Sequence, residues 1–438
     1  MELKEKYELA DMLIEHAGKN GANQVSVSIS DNRSTEIEIR DKKIDRLKES
    51  NQSSLSVSLY VDKKYSSHST NRLKKEELLK LVEEAIIATK YLAEDEFRTL
   101  PDPELYFKGE ATDFKVFDDK LDSVDAANKI AIANKVMDEV YGKDERIISV
   151  SASYSDSVYH NVLVTSNGFK GVSSGTYVSL SSSVSVKGEK GRPNDYEYES
   201  ELFTDKLKTD GIGLKALDRV LKKLNPKKLP SGKYPIVIEN RVASQLIYPL
   251  YSAMQGWNIY QKQSFLIGKE NQKITSELLT IVDDPTLPGS PGSRNFDDEG
   301  LVALKRPIIE KGILKGYYID TYYGKKLGMK PTNSGYSNVV FDKGTRTMEE
   351  MVISMKKGVL ITGFNGGNCN GTTGDFSYGI EGFYIENGKI VHPVNEMNIT
   401  GNMNQFWFQL AEIGKDTMEN RSLKIPSLMF NDADLSGV

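Results

Sequence analysis

The 438-residue sequence predicts an α+β fold, with antiparallel sheets flanked by helices in the N-terminal part and a mostly-β C-terminal domain. Three observations carry this. Strand-like alternation comes in consecutive runs, as in Val25-Ser-Val-Ser-Ile29, Ile37-Glu-Ile39 and Leu55-Ser-Val-Ser-Leu59. Helical periodicity flanks those runs instead of separating each strand from the next, which a parallel βαβ plan would require. Beyond about residue 230, short apolar stretches are punctuated by Gly, Asp and Asn.

Leu3, Tyr7, Ala10, Leu13, Ile14 and Ala17 recur at three- and four-residue steps until Gly18 and Gly21 stop them, so the chain opens with an amphipathic helix. From Gln24 to Thr70 the alternation gives an antiparallel meander with Asp-Lys pairs at its turns. Leu78 to Thr89 is the next helix, and the acidic Ala93–Pro103 stretch ends the first domain. Helix then sheet recurs, with a helix over 121–141 and alternation over 147–186, in plan only and without a sequence repeat. Leu207, Ile212, Leu214, Leu217, Leu221 and Leu224 predict a helix over 207–224 whose lysines face water, closed by Asn225-Pro226. A buried strand over 234–239 and a helix over 241–256 open the last part. The expected domains are 1–103, 104–228 and 229–438.

Basic residues number 57 and acidic ones 62, and a net charge of −5 gives no field that would gather nucleic acid or an anionic membrane. The single cysteine, Cys369, has no disulfide partner in the chain, and MELKEKYELADMLIEHAGK contains no apolar leader, so a reducing cytoplasm is expected. No apolar run approaches the roughly 18 residues of a membrane span.

Catalytic patterns are sparse. The four histidines, His16, His68, His160 and His392, are far apart in sequence, with His16 near a helix end, His68 in a strand and His160 in a hairpin turn. Pro393 breaks the helical spacing of the one pair that comes near a ligand pattern, His392 with Glu396. Gly171-Val-Ser173-Ser-Gly175 matches the serine-hydrolase nucleophile pattern, but strand-like sequence follows where a helix is required, so a Gly-Ser hairpin is expected. The acidic pairs Asp283-Asp284 and Asp297-Asp298-Glu299 read as turns, with divalent-metal or acid–base chemistry as the alternative. The Gly363–Asp375 segment is the most distinctive composition. Its glycines permit turns that leave backbone N–H groups free, and Asn365, Gly366, Gly367, Cys369, Asn370, Thr372, Thr373 and Asp375 form a candidate substrate- or partner-binding loop. A thiol nucleophile at Cys369 would need a histidine base, and none is evident.

Gly371-Thr-Thr-Gly-Asp-Phe-Ser-Tyr-Gly379, Glu381-Gly-Phe-Tyr-Ile-Glu-Asn-Gly388, Pro393-Val-Asn-Glu396 and Ile399-Thr-Gly-Asn402 resemble the C-terminal part of the TldD/PmbA family, proteins once named modulators of DNA gyrase. Arg294-Asn-Phe-Asp-Asp-Glu-Gly300, Ile313-Leu-Lys-Gly-Tyr317 and Leu100-Pro-Asp-Pro103 extend the resemblance over nearly the whole chain. It implies an obligate or near-obligate pair of subunits acting as a cytoplasmic metallopeptidase on peptides and partly unfolded substrates. It also implies zinc in the TldD branch, on a His-Glu-x-x-x-His helix and a late cysteine. Here Ser244–Gly256 holds neither His nor Glu, and Arg421–Pro426 holds no Cys. The chain therefore resembles the TldE or PmbA branch. The resemblance implies no catalytic or metal residue in this chain, zinc in a TldD-like partner, and peptides as substrates. A homodimeric protein-binding adaptor is the alternative, and an autonomous enzyme using the acidic pairs with a divalent metal is a third.

Overall fold

The computed structural model describes residues 1–189 and 191–437. The N-terminal half runs α1 (Leu3–Lys19), β1 (Gln24–Arg40), β2 (Lys43–Val61), β3 (Lys64–Thr70), α2 (Lys75–Thr89), α3 (Ala126–Val140), β4 (Ile147–Thr165), β5 (Lys170–Val186), β6 (Asn194–Glu201) and α4 (Ile212–Lys222). The strands form one antiparallel sheet of order β3-β2-β1-β4-β5-β6, continuous across the 93–103 stretch. Asp41-Lys42 and Asp62-Lys63 turn its hairpins with φ of 47°, 68°, 48° and 62°, the left-handed pairs that two-residue hairpins demand.

The half is built twice over. An offset of 125 residues carries the pair Ser26↔Thr165 at the centre of the sheet onto Ser151↔Arg40, and carries the β1–β2 register onto that of β4–β5. Val25, Ile29 and Leu55 under α1 and α2 thus correspond to Val150, Tyr154 and Leu180 under α3 and α4. Even a buried ion pair recurs: Lys6 of α1 reaches Asp31 at 2.5 Å and Lys129 of α3 reaches Asp156 at 2.6 Å.

The C-terminal half runs β7 (Gly232–Ile238), α5 (Ser244–Ala253), α6 (Gly256–Tyr260), β8 (Ile281–Asp283), β9 (Arg306–Glu310), β10 (Ile313–Leu314), α7 (Thr321–Leu327), β11 (Val339–Phe341), α8 (Met348–Ser354), β12 (Lys357–Cys369), β13 (Asp375–Glu386), β14 (Lys389–Asn402), α9 (Met403–Phe406), β15 (Leu410–Ile413), β16 (Leu423–Lys424) and β17 (Leu428–Ser436). One sheet has the order β14-β13-β12-β7-β17-β15, and a further pairing of β14 with β17 at Asn398↔Ser436 and Ile399↔Leu435 closes five of these strands into a barrel. A second sheet, β10-β9-β8-β11-β16, shares its core through Ile281, Ile308 and Val339. Among the described residues, no helix is long and apolar enough to cross a membrane.

Three expectations change. His160 lies inside β4, paired with Ser174, and not in a turn. Gly171–Gly175 is the opening of β5, not a hairpin. The helix expected over 207–224 starts only at Ile212, because Gly211 takes φ 81°, where the chain changes direction.

Candidate functional site

The two halves meet along a seam of charge. Arg219 on α4 gives two parallel hydrogen bonds, of 2.8 and 2.9 Å, to Glu239, which directly follows β7. Its Nε lies 3.4 Å from Asp195 on β6. One turn later Lys223 reaches Asp195 at 2.9 Å and Glu381 of β13 at 2.5 Å. Glu239 is 6% exposed, so its charge would be costly without this guanidinium. Next to it Arg241 pairs with Glu197 at 2.8 Å, donates to the Tyr196 carbonyl, and lies over the Tyr196 and Tyr198 rings. The outer edge of β6 is thus tied to the C-terminal half by side chains, with Asn420 donating to the Ser200 carbonyl.

This seam separates two recesses. On one side is a polar cleft of about 400 Å³, lined by Asn194, Tyr196, Arg241, Gln245 and Gly363–Asn365. On the other is a recess of about 500 Å³ walled by Met348, Val352, Ile353, Leu360, Phe383 and Ile390. Thr362 borders both, and its buried hydroxyl has no hydrogen-bond partner among the described residues.

The candidate loop lies at the far end of the same strand. β7 pairs with β12 only at Val359–Ile361, whereas β13 follows β12 out to Cys369, so β12 from Gly363 onward lacks a strand neighbour on its β7 side among the described residues. Asn365, Gly366 and Gly367 form an exposed irregularity, with φ of 77° and 103° at the two glycines, and Cys369 ends the strand. Asn370 then closes the turn, its side-chain oxygen accepting from the N–H groups of Thr372 and Thr373. Those N–H groups are therefore spent inside the turn, contrary to the expectation that they stay free. Asp375 accepts from Thr373 and Asn402, 2.7 Å each. Burial, then the Asp375 carboxylate, pushes the Cys369 thiol up to about 11, so at neutral pH it carries its proton.

The remaining candidates do structural work. Asp297 accepts from the N–H groups of Glu299 and Leu301, and Glu299 caps α7 by accepting from Thr321 N and Oγ1 at 2.8 and 3.0 Å. Asp283 accepts from the Ser337 N–H and hydroxyl, and Asp284 from Thr286 and Lys305. Burial raises Asp283, Asp297 and Glu299 above the usual carboxylate range, Glu299 to about 7. His160 Nδ1 lies 2.8 Å from the Ser174 hydroxyl, but its ring packs against Phe117 and no hydrogen bond joins it to a carboxylate among the described residues. His16 pairs with Glu83, His68 with Ser66, and His392 stacks on Tyr384. Ser173 lies opposite Asn161 within the sheet.

Sequence reasoning missed the seam. Arg219 and Lys223 belong to the helix face expected to meet only water, and nothing within α4 reveals that the carboxylates of Asp195, Glu239 and Glu381 meet it. Lys215 and Lys222 do stay exposed. The one available clue was that Arg219 and Lys223 stand one helical turn apart, a like-charge spacing that disfavours a helix unless carboxylates from elsewhere meet it.

The resemblance puts the ligands of the TldD branch on the helix that here is α5 and on the segment that here is 421–426. Between α5 and β16 lies a small cavity lined by Ile247, Tyr248, Tyr251, Tyr336 and Leu423, none of which suits Zn²⁺ at this spacing. Among the described residues, no three His, Cys, Asp or Glu side chains lie together so as to hold a metal ion.

The chain matches the first, central and C-terminal domains of PmbA/TldA metallopeptidases over residues 25–89, 119–224 and 231–437. It is 30% identical to a metalloprotease PmbA homolog of Haemophilus influenzae, across 97% of this chain and 94% of that one. Against a metalloprotease TldD homolog of the same organism, 28% identity covers 64% of this chain and 63% of the other. A crystal structure of a candidate modulator of DNA gyrase from Bacteroides thetaiotaomicron is 46% identical over the full length of both chains, with a TM-score of 0.98. TldE from Thermococcus kodakarensis, at 20% identity, shares the fold with a TM-score of 0.87 over 98% of this chain and all of that one.

Proposed function

The chain belongs to the PmbA/TldD metallopeptidase family, and from that premise we propose that it is the metal-free subunit of a two-subunit cytoplasmic peptidase whose zinc sits in a TldD-like partner. One observation carries the reading: α5 bears Ser244-Gln-Leu-Ile-Tyr-Pro-Leu-Tyr-Ser-Ala253, and its meeting point with β16 is a cavity of aliphatic and tyrosine side chains. A subunit with no ligand to give still contributes shape. The unpaired edge of β12 beyond Gly363 offers backbone groups to an extended peptide, and such pairing gives affinity with little sequence preference. The polar cleft beside it receives side chains, while the seam through Arg219 and Lys223 holds the two walls at a fixed separation.

The test is cleavage of an unstructured peptide by the purified chain, by the metal-bearing relative of the same organism, and by the mixture, with zinc quantified in each. Activity that needs both chains, with zinc tracking the relative, supports the reading. Zinc-dependent cleavage by this chain alone overturns it.

A further inference from the structure

The apolar recess of about 500 Å³ beside the seam is built by three elements. α4, α8 and the β13–β14 hairpin line it, and the sheet contributes Leu360, Thr362 and Phe383. The hairpin is fixed to the end of α8. Asn387 and Gly388 donate their N–H groups to the Lys356 and Met355 carbonyls at 2.8 Å each, and a Cβ on Gly388, at φ 73°, would collide with the Ile353 carbonyl oxygen. The recess therefore exists before anything occupies it. Ile353 and Ile390, which line it, are 69% and 52% exposed, two large apolar side chains left to water beside a cavity of ligand size.

Charge narrows the occupant. Around the recess Arg219 is matched by Glu239, Lys223 by Asp195 and Lys222 by Asp218. Glu349 in the first turn of α8 and Lys389 at the hairpin also line it, and both are exposed with no ion pair or hydrogen bond among the described residues. The free charges are thus one of each sign, which suits a zwitterion with an apolar body. Thr362 adds a further condition. It is 8% exposed, its hydroxyl has no partner among the described residues, and a peptide carbonyl can accept from it. We propose that this recess binds a short apolar peptide with both termini free, its ammonium at Glu349, its carboxylate at Lys389 and its side chains on the apolar walls. The site stands apart from the peptidase reading, since it needs neither a metal nor the free edge of β12.

Isothermal titration calorimetry of the full chain with trileucine tests it, and saturable binding is expected. Acetylating the N-terminus of the peptide or amidating its C-terminus raises the dissociation constant by about three- to fivefold each, the range an exposed ion pair allows. Glu349→Gln abolishes the effect of acetylation alone, and Lys389→Gln that of amidation alone. Trialanine binds at least about tenfold more weakly than trileucine, and Ile353→Asp with Ile390→Asp weakens trileucine by a similar factor. All four substituted positions are exposed, and thermal unfolding of each variant checks that folding is intact. Absence of trileucine binding overturns the proposal, as do termini whose blocking has no effect, variants that leave every affinity unchanged, or a recess that takes up only another protein chain.

Discussion

Arg219 and Glu239 grip each other with two parallel hydrogen bonds across the seam between the halves, one residue on the last helix of the sheet half and the other just past the first strand of the barrel. Arg219→Ala leaves the buried Glu239 and Asp195 short of a cation, at a cost of about 3–5 kcal/mol. Arg219→Lys keeps the charge but loses the fork, costing about 1–3 kcal/mol. Urea unfolding of both variants is expected to rank them in that order. Equal stability of Arg219→Ala and wild type would show that the seam holds nothing.

Glu299 caps α7 and titrates near 7, raised first by burial and then by the neighbouring Asp297 and Asp320 carboxylates. Its folded value lies above the unfolded one near 4.5, so between those pH values the native state binds the extra proton and stability falls as pH rises. The fall is at most about 3 kcal/mol, since each pH unit between the two values is worth about 1.4 kcal/mol and Glu299 is not fully enclosed. Glu299→Gln keeps the acceptor for Thr321 and removes the charge. It should unfold at higher temperature than wild type at pH 8 and match it at pH 4.5, and an unchanged pH profile would refute this.

The repeated ion pairs predict unequal losses. Lys129 and Asp156 are 5% and 0% exposed at their side chains, whereas Asp31 beside Lys6 is 21% exposed and also faces the N-terminal ammonium. Asp156→Ala therefore strands a buried ammonium and costs about 3–5 kcal/mol, while Asp31→Ala costs less. Calorimetric unfolding of the two variants compares them directly.

At the β12–β13 hairpin two neighbouring glycines answer to different constraints. A Cβ on Gly367 would collide with the Ser377 carbonyl oxygen at a φ of 103°, whereas one on Gly366 meets nothing within 4 Å at a φ of 77°. Gly366→Ala costs about 1–2 kcal/mol of backbone strain only. Gly367→Ala must displace the hairpin, and under the proposed function it weakens peptide binding by the reconstituted pair more than Gly366→Ala does. Fluorescence anisotropy of a labelled peptide measures this.

Much of this architecture was legible in the sequence. The period-two runs and Asp-Lys turns placed the first meander because each strand has one apolar and one serine-rich face. His160 was misplaced because His160-Asn161 is a polar pair in the middle of an unusually long strand of 19 residues. Asp156 is in fact neutralised by Lys129, a contact no local pattern shows. A pattern carried by one helix, such as the three- and four-residue spacing of α1, was readable. The seam was not, because Asp195, Arg219, Glu239 and Glu381 are brought together from four separate elements.

β17 (Leu428–Ser436) is far in sequence from β7, yet it pairs with β7, β14 and β15, and among the described residues the barrel closes through it. This half can therefore close only after β17 has been made, while the six-stranded sheet, complete by Glu201, is free to form earlier. A chain interrupted before β17 would leave β7 and β14 without their shared neighbour and expose unpaired strand edges.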